Sequence, residues 1–165
     1  MKKIVFILCL LSINLAFGWE RPDLPLRGQG QYSWMFFKVY EAKLWGTKGD
    51  DIYSRPLLLE LKYNRNFQGK DIAEQSIKEI ASAGNTKFQS QEWSNKLLEI
   101  FPDVKEGDVI TASFNPQNGI TFYFNQTKEI GRISELEFAK IFLNIWLGEK
   151  TSAPELRGNL LGEKT

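Results

Sequence analysis

The sequence predicts an α+β fold, in which an antiparallel β-sheet carries a layer of helices packed on one face. Three observations support this prediction. Strand-like segments come in pairs that short turns join, which favours antiparallel neighbours. Helical periodicity is confined to four separate segments. A length of 165 residues suits one domain, for which one helical layer over one sheet is the economical arrangement.

The strand predictions rest on aromatic and β-branched runs that turn residues separate. Gln31 to Trp45 is rich in such residues and lacks proline, so it is predicted as one long strand or a strand pair. Its aromatic residues occupy both odd and even positions, so both faces are expected to be covered over part of its length. The other predicted strands are Pro56–Tyr63, Val109–Phe114, Ile120–Asn125 and, as a short connection or strand, Lys128–Ile133.

The most apolar predicted helix is Phe138 to Gly148. Ser134 and Glu137 precede it with the spacing of a capping box, and Gly148 stands where a left-handed C-cap residue is expected. A helix that is apolar over most of its circumference must be covered on more than one side, either in the core or as a wall of a ligand cleft. Three further helices are predicted, at Lys70–Ala83, Gln89–Phe101 and Pro154–Leu161.

Met1 to Gly18 has the features of a secretory signal peptide. The segment starts with two lysines after the methionine, continues with the apolar run Ile4 to Leu11, and ends on small residues. The apolar run is too short and too interrupted to predict a membrane span. We therefore expect cleavage after Gly18 and an exported, periplasmic product, in which residues 19–165 form a single domain. The alternative is a segment retained as an N-terminal anchor.

Composition excludes several classes of function. The predicted mature chain has no histidine and no cysteine, since the one cysteine, Cys9, lies in the leader. Ordinary zinc sites and catalytic pairs that need histidine or cysteine are therefore excluded. The chain carries 21 basic and 20 acidic residues without a Lys/Arg-rich run, which is a poor composition for binding nucleic acid. No metal, cofactor or catalytic residue is predicted.

Arg27 is a candidate ligand contact. It stands before the long predicted strand, in Leu26-Arg27-Gly28, among apolar or small residues. A guanidinium beside an apolar layer can hold a carboxylate or an enolate with two parallel hydrogen bonds. The alternative is an arginine that is merely exposed or that caps a backbone carbonyl.

Several segments together carry a family resemblance. They are Arg27-Gly28, Lys38–Trp45, Phe101–Asp108, Asn118–Ile120 and, most specifically, Phe138–Gly148 followed by Leu156-Arg157 and Leu160–Gly162. From about Leu26 to Gly162 the chain resembles the chalcone isomerase-like family, and its bacterial exported members more than the plant enzymes. The resemblance implies a sheet, a helical layer over it, and a ligand cleft between the two layers.

The plant enzymes of this family close a chalcone to a flavanone with an arginine and several hydrogen-bonding side chains. The resemblance puts Arg27 at the arginine position and Val39 at a threonine position. It puts Phe67 and Gln75 at a tyrosine and an asparagine, and Ile145 at a hydroxyl residue. Because most of the hydrogen-bonding set is replaced, flavanone chemistry is not expected, and these five positions are predicted as ligand contacts instead.

Non-catalytic relatives that are similar to fatty-acid binders hold a carboxylate with the arginine and an acyl chain in the apolar cleft. The resemblance therefore implies a small, largely apolar and acidic ligand that Arg27 anchors. One alternative is an isomerase-type enzyme, and another is an exported protein-interaction module or a haem binder. Haem is the lesser of these because the sequence has no histidine to ligate iron.

Overall fold

The computed structural model describes residues 22–49, 51–84 and 91–163. The predicted signal peptide lies outside these residues, as does the predicted start of the second helix at Gln89. The described strands are β1 (Leu26–Trp34), β2 (Phe37–Gly46), β3 (Leu57–Tyr63), β4 (Val109–Asn115), β5 (Gly119–Phe124) and β6 (Lys128–Ile133). The described α-helices are α1 (Gly69–Ser82), α2 (Gln91–Ile100), α3 (Leu136–Leu147) and α4 (Pro154–Leu161). None of the helices in these ranges is both long and apolar enough to cross a membrane.

The six strands form one antiparallel sheet in which each strand pairs with its neighbour in the chain, in the order β1-β2-β3-β4-β5-β6. This arrangement, with its four helices, confirms the predicted α+β class. Gln31 to Trp45 is a strand pair rather than one strand, because Met35 and Phe36 form a tight turn between β1 and β2. β1 starts at Leu26, so Arg27 lies within the first strand instead of before it.

One face of the sheet packs against the helices. Register aligns Leu44 with Leu59, Leu59 with Ala112, and Ala112 with Phe122, so a buried apolar row crosses β2 to β5. The row continues to Gly131 in β6, where a side chain would overlap Ile100 of α2. Because side chains alternate between the two faces of a strand, this register fixes which residues meet the helices.

The central apolar helix is confirmed as α3, but its predicted caps are wrong. Its N-cap is Glu135, which makes no side-chain capping hydrogen bond, rather than Ser134. The carboxylate of Glu135 is instead held by Lys96 of α2, 3.1 Å away. Gly148 is extended, at φ −74° and ψ 152°, and not left-handed. A glycine fits there because a Cβ would come within 2.7 Å of the Asn144 carbonyl oxygen.

α4 packs directly on the hairpin of β1 and β2. A Cβ at Gly28 would overlap the carbonyl oxygen of Asn159, and one at Gly30 would come within 2.8 Å of Leu156. The two glycines therefore let the backbone of α4 approach the strand closely. The helix ends at Gly162, which adopts the left-handed conformation common at C-caps.

This close packing predicts opposite effects for two Gly→Ala substitutions. Gly28→Ala should lower the free energy of unfolding by about 1–3 kcal/mol, since α4 must move to admit the methyl group. Gly158→Ala, inside α4 with open space around its Cβ, should raise it by roughly 0.5–1 kcal/mol. Urea unfolding followed by circular dichroism measures both. Equal effects of the two substitutions would contradict tight packing of α4 on β1.

Candidate functional site

A cavity of about 300 Å³ lies between the sheet and the helices α1 and α3. Its volume falls at the lower end of the roughly 300–1,000 Å³ typical of small-molecule sites. Ala112 provides the floor on β4, where its short side chain leaves space above the sheet. The wall is mainly apolar, with Leu59, Leu61, Ile72, Phe101, Ile110, Phe122, Phe142, Ile145 and Trp146 among its residues. Such a wall favours an apolar occupant.

Three tyrosines form the polar end of the cavity. Tyr32, Tyr40 and Tyr63 occupy one cross-strand row, because register pairs Tyr32 with Tyr40 and Tyr40 with Tyr63. The rings of Tyr32 and Tyr40 stack with their centroids 5.1 Å apart, and Tyr63 meets Tyr40 edge-on at 6.2 Å. All three line the cavity. The hairpin register thus gathers three hydroxyl groups at one end of an otherwise apolar space.

The hydroxyl of Tyr40 is fixed by the indole of Trp146 in α3. Trp146 Nε1 donates a hydrogen bond of 2.9 Å to the Tyr40 oxygen. Tyr63 is buried, and no described residue forms a hydrogen bond to its hydroxyl. Burial raises the pKa of Tyr40 and of Tyr63 well above the usual tyrosine range. Both hydroxyls are therefore protonated at neutral pH and available as hydrogen-bond donors.

The rim of the cavity along α1 is acidic. Asp71, Gln75 and Glu79 recur every fourth residue, so they lie on one side of the helix. Gln75 Nε2 donates a hydrogen bond of 2.9 Å to Glu79 Oε1. Burial and, second, the charge of Glu79 raise the pKa of Tyr32, and both residues line the cavity. No lysine or arginine occurs among the described residues that line the cavity, so its polar end is electronegative.

The structure brings four of the five predicted contact residues together. Val39, Phe67, Gln75 and Ile145 all line the cavity, although they come from a strand, a loop and two helices. Three of the four are apolar and add to the wall, while the amide of Gln75 sits at the rim. Their predicted role as ligand contacts stays a prediction.

Arg27 lies elsewhere. Its side chain is half-buried, and its Nε donates a hydrogen bond of 3.3 Å to the carbonyl oxygen of Leu161 at the end of α4. It is not among the residues that line the cavity. The side chain thus caps a carbonyl instead of pointing into the cavity as expected, while its predicted role as a ligand contact stays a prediction. The Leu161 carbonyl lies within its reach because α4 packs closely over the neighbouring Gly28.

Sequence reasoning missed six site residues, which are Tyr32, Tyr40, Tyr63, Asp71, Glu79 and Trp146. The four-residue spacing of Asp71, Gln75 and Glu79 is visible in the sequence, but its meaning depends on which side of α1 meets the cavity. The tyrosine row could be found only from the register of the hairpin, and the sequence left open whether a hairpin existed.

Together, the sheet, its single helical layer and the cavity between them define an α+β sandwich with a mainly apolar pocket of ligand size. The chalcone isomerase-like family matches residues 13–162, and the chain belongs to that family. An uncharacterised protein of Haemophilus influenzae is 30% identical over 137 residues, which cover 82% of this chain and 67% of the relative.

A solved structure shares the fold. The crystal structure of an Arabidopsis thaliana fatty-acid binding protein superimposes with a TM-score of 0.64, covering 87% of this chain and 89% of the plant chain. The two sequences are 9% identical, so this likeness concerns the arrangement of strands and helices.

The buried tyrosines predict a loss of stability at high pH. Their pKa values are raised in the folded state, so the unfolded chain releases its tyrosine protons first, above about pH 10. The stabilisation from the neutral hydroxyls is complete below that pH and is lost as the pH rises further. Tyrosinate absorbance from Tyr40 and Tyr63 should therefore develop together with the loss of circular dichroism.

Tyr63→Phe tests this directly. Since no described residue bonds the Tyr63 hydroxyl, the substitution should change the neutral-pH stability little and should shift alkaline unfolding to higher pH. If Tyr63 of the folded protein titrates with the usual pKa of tyrosine, its ring is solvated and the prediction is wrong.

Proposed function

We propose that this protein binds a small, largely apolar molecule in the cavity between α1, α3 and the sheet, and holds it without catalysing a reaction. The observation that carries the proposal is the cavity itself, which combines apolar walls with hydroxyl donors at one end. Burial of an apolar chain there contributes about 25 cal/mol for each Å² removed from water. The export signal predicted in residues 1–18 supports a periplasmic location for this binding.

The chemistry of the cavity supports binding without catalysis. General acid–base catalysis works best when the pKa of the acting group lies near the operating pH. Burial moves the pKa of Tyr40 and of Tyr63 away from neutrality. These hydroxyls can position a polar group, but they are poor bases at neutral pH.

An acyl chain is the first ligand class to test. The Arabidopsis protein with the same fold is described as a fatty-acid binding protein, and an unbranched hydrocarbon suits the apolar wall. Val39, Phe67 and Ile145 would contact the chain, and Gln75 would lie near its polar end. This is the role that the sequence predicts for these four residues.

The electronegative rim favours a ligand whose polar end is neutral, such as an alcohol, an ester or a protonated acid. The tyrosine hydroxyls can donate hydrogen bonds to such a group. A carboxylate at the same end would be repelled by Glu79 and would find no cation on the described wall. The acidic ligand anchored by Arg27 would need that side chain to leave the Leu161 carbonyl and pass α4.

Filling the cavity should abolish binding. Ile145→Trp places a larger side chain in the cavity wall, whereas Leu136→Trp makes an exposed substitution on the same helix, away from the cavity. Displacement of a fluorescent fatty-acid probe from delipidated protein should show Ile145→Trp weakening affinity by at least about tenfold, or ~1.4 kcal/mol. Leu136→Trp should stay within about twofold of the wild type by the same measure.

Thermal unfolding provides the folding control for both tryptophan variants. If Ile145→Trp remains folded and keeps the wild-type affinity, the ligand occupies another part of the molecule and the proposal is wrong.

The polar end is tested with a fatty alcohol and a fatty acid of equal chain length. At neutral pH the alcohol should displace the probe more effectively, because the acid is ionised. Glu79→Gln should strengthen binding of the acid by about fivefold, the effect of ~1 kcal/mol from one exposed charge. Arg27→Gln should leave both affinities unchanged. A tenfold loss in Arg27→Gln that affects only the acid would instead support the anchor predicted from the sequence.

A further inference from the structure

The turn between β1 and β2 exposes four consecutive large apolar side chains. Trp34 is 63% exposed, Met35 71%, Phe36 95% and Phe37 52%. Single exposed apolar residues are normal on protein surfaces, but a contiguous group marks an interaction site. We call Trp34–Phe37 the hairpin tip.

The backbone of the hairpin tip indicates that these side chains are retained at a cost in stability. Met35 adopts φ 55°, a left-handed conformation that glycine or asparagine takes more easily. For other residues this conformation is unfavourable by roughly 1–2 kcal/mol. Glycine or asparagine would stabilise this turn better, so the stability of the turn does not account for methionine at this position.

Two basic residues stand at the base of the hairpin tip. Lys38 follows it directly and is exposed, and the guanidinium of Arg65 lies 4.6 Å from the ring centroid of Phe37. The segment from Ser33 to Lys38 contains no acidic residue. Aromatic side chains prefer the interface of a bilayer, and basic side chains beside them are attracted to anionic headgroups.

The hairpin tip continues into the cavity. Tyr32, two residues before Trp34 on β1, and Val39, two residues after Phe37 on β2, both line the cavity wall. The same two strands therefore carry the exposed aromatic group at their end and one side of the cavity behind it. Any surface that receives the hairpin tip also comes close to the tyrosine end of the cavity.

We propose that the hairpin tip inserts its aromatic side chains into the interfacial layer of an anionic lipid bilayer, with Lys38 and Arg65 against the headgroups. In this orientation the strand segments that carry Tyr32 and Val39 lie next to the bilayer, so an apolar ligand passes between lipid and cavity along these strands without crossing bulk water. The insertion stands on the exposed residues alone, and the transfer of ligand rests on the proposed function.

Vesicle flotation tests the insertion with the full chain. Vesicles of phosphatidylglycerol and phosphatidylethanolamine provide the anionic surface, and pure phosphatidylcholine vesicles provide the neutral one. Trp34→Ser combined with Phe36→Ser should reduce partitioning into anionic vesicles by at least about tenfold, as expected when two exposed aromatic side chains no longer enter the lipid. Leu98→Ser combined with Leu136→Ser, which removes two apolar side chains exposed elsewhere, should leave partitioning unchanged.

The charge contribution is measured separately. Lys38→Gln and Arg65→Gln should each weaken binding to anionic vesicles by about fivefold, and they should have little effect with phosphatidylcholine. All variants keep the same N-terminal segment, so any lipid affinity of residues 1–18 is common to them and cancels in the comparison.

Two results would overturn the insertion, and a third would overturn its assignment to an anionic surface. Equal partitioning of wild type and the Trp34→Ser/Phe36→Ser variant would show that the hairpin tip does not enter lipid. If wild type sediments as a dimer and does not bind vesicles, and the variant sediments as a monomer, then the hairpin tip contacts a second copy of the chain. Equal binding of wild type to neutral and anionic vesicles would show that Lys38 and Arg65 do not bind anionic headgroups.

Failure of the proposed function is distinguishable from failure of the insertion. Probe displacement in solution needs no vesicles and should be unchanged in the hairpin-tip variant. Transfer of a fluorescent fatty acid from vesicles to protein should slow in that variant by at least about tenfold, in parallel with its lost partitioning. Unchanged transfer, with vesicle binding lost, would overturn the transfer step alone.

Discussion

The register of the first three strands is the constraint on which the candidate site depends. It pairs Tyr32 with Tyr40 and Tyr40 with Tyr63, so three hydroxyl groups face the helices at one end of the sheet. A shift of one residue would turn every side chain of the shifted strand to the opposite face. The tyrosines would then leave the cavity, and the indole of Trp146 would lose the partner that Tyr40 provides. The polar end of the cavity is therefore a product of strand pairing.

Most of the architecture could be predicted from the sequence because it depends on local patterns. Alternating and helical periodicities located the four described α-helices and the strands β2 to β6, although the sequence left β6 as a connection or a strand. The first half of β1 was missed, because the predicted segment began at Gln31 whereas β1 begins at Leu26. The caps of α3 could not be predicted because they depend on neighbours. Lys96 of α2 attracts Glu135, and the close approach of Asn144 sets the backbone at Gly148. The contact of Lys96 with Glu135 joins two helices 39 residues apart in the chain, which the sequence does not reveal.

The candidate site was predicted in part, for a similar reason. Val39, Phe67, Gln75 and Ile145 line the cavity. They could be predicted because the resemblance to the family implies where these positions lie in the fold. Arg27 fails to reach it because α4 covers the start of β1, and the sequence shows only that a short helix exists near the C-terminus. Arg27 is instead held by the backbone carbonyl of Leu161 at the end of α4, which lies 134 residues away in the chain. The position of a residue along a strand does not by itself show which part of the fold its long side chain will contact.

The insertion of α1 and α2 between two paired strands has a mechanical consequence. β3 and β4 are neighbours in the sheet, yet both helices lie between them in the chain. Two backbone hydrogen bonds between Phe67 and Val104, of 3.0 and 2.9 Å, close the base of this segment. Within the described part of the chain, α1 packs mainly against α2 and α3 and is not joined to the sheet by a strand ladder. The segment can consequently loosen as a local unit while all the strand pairings stay intact. Under the proposed binding function, exchange of the ligand would depend on the packing of α1 and would leave the sheet undisturbed.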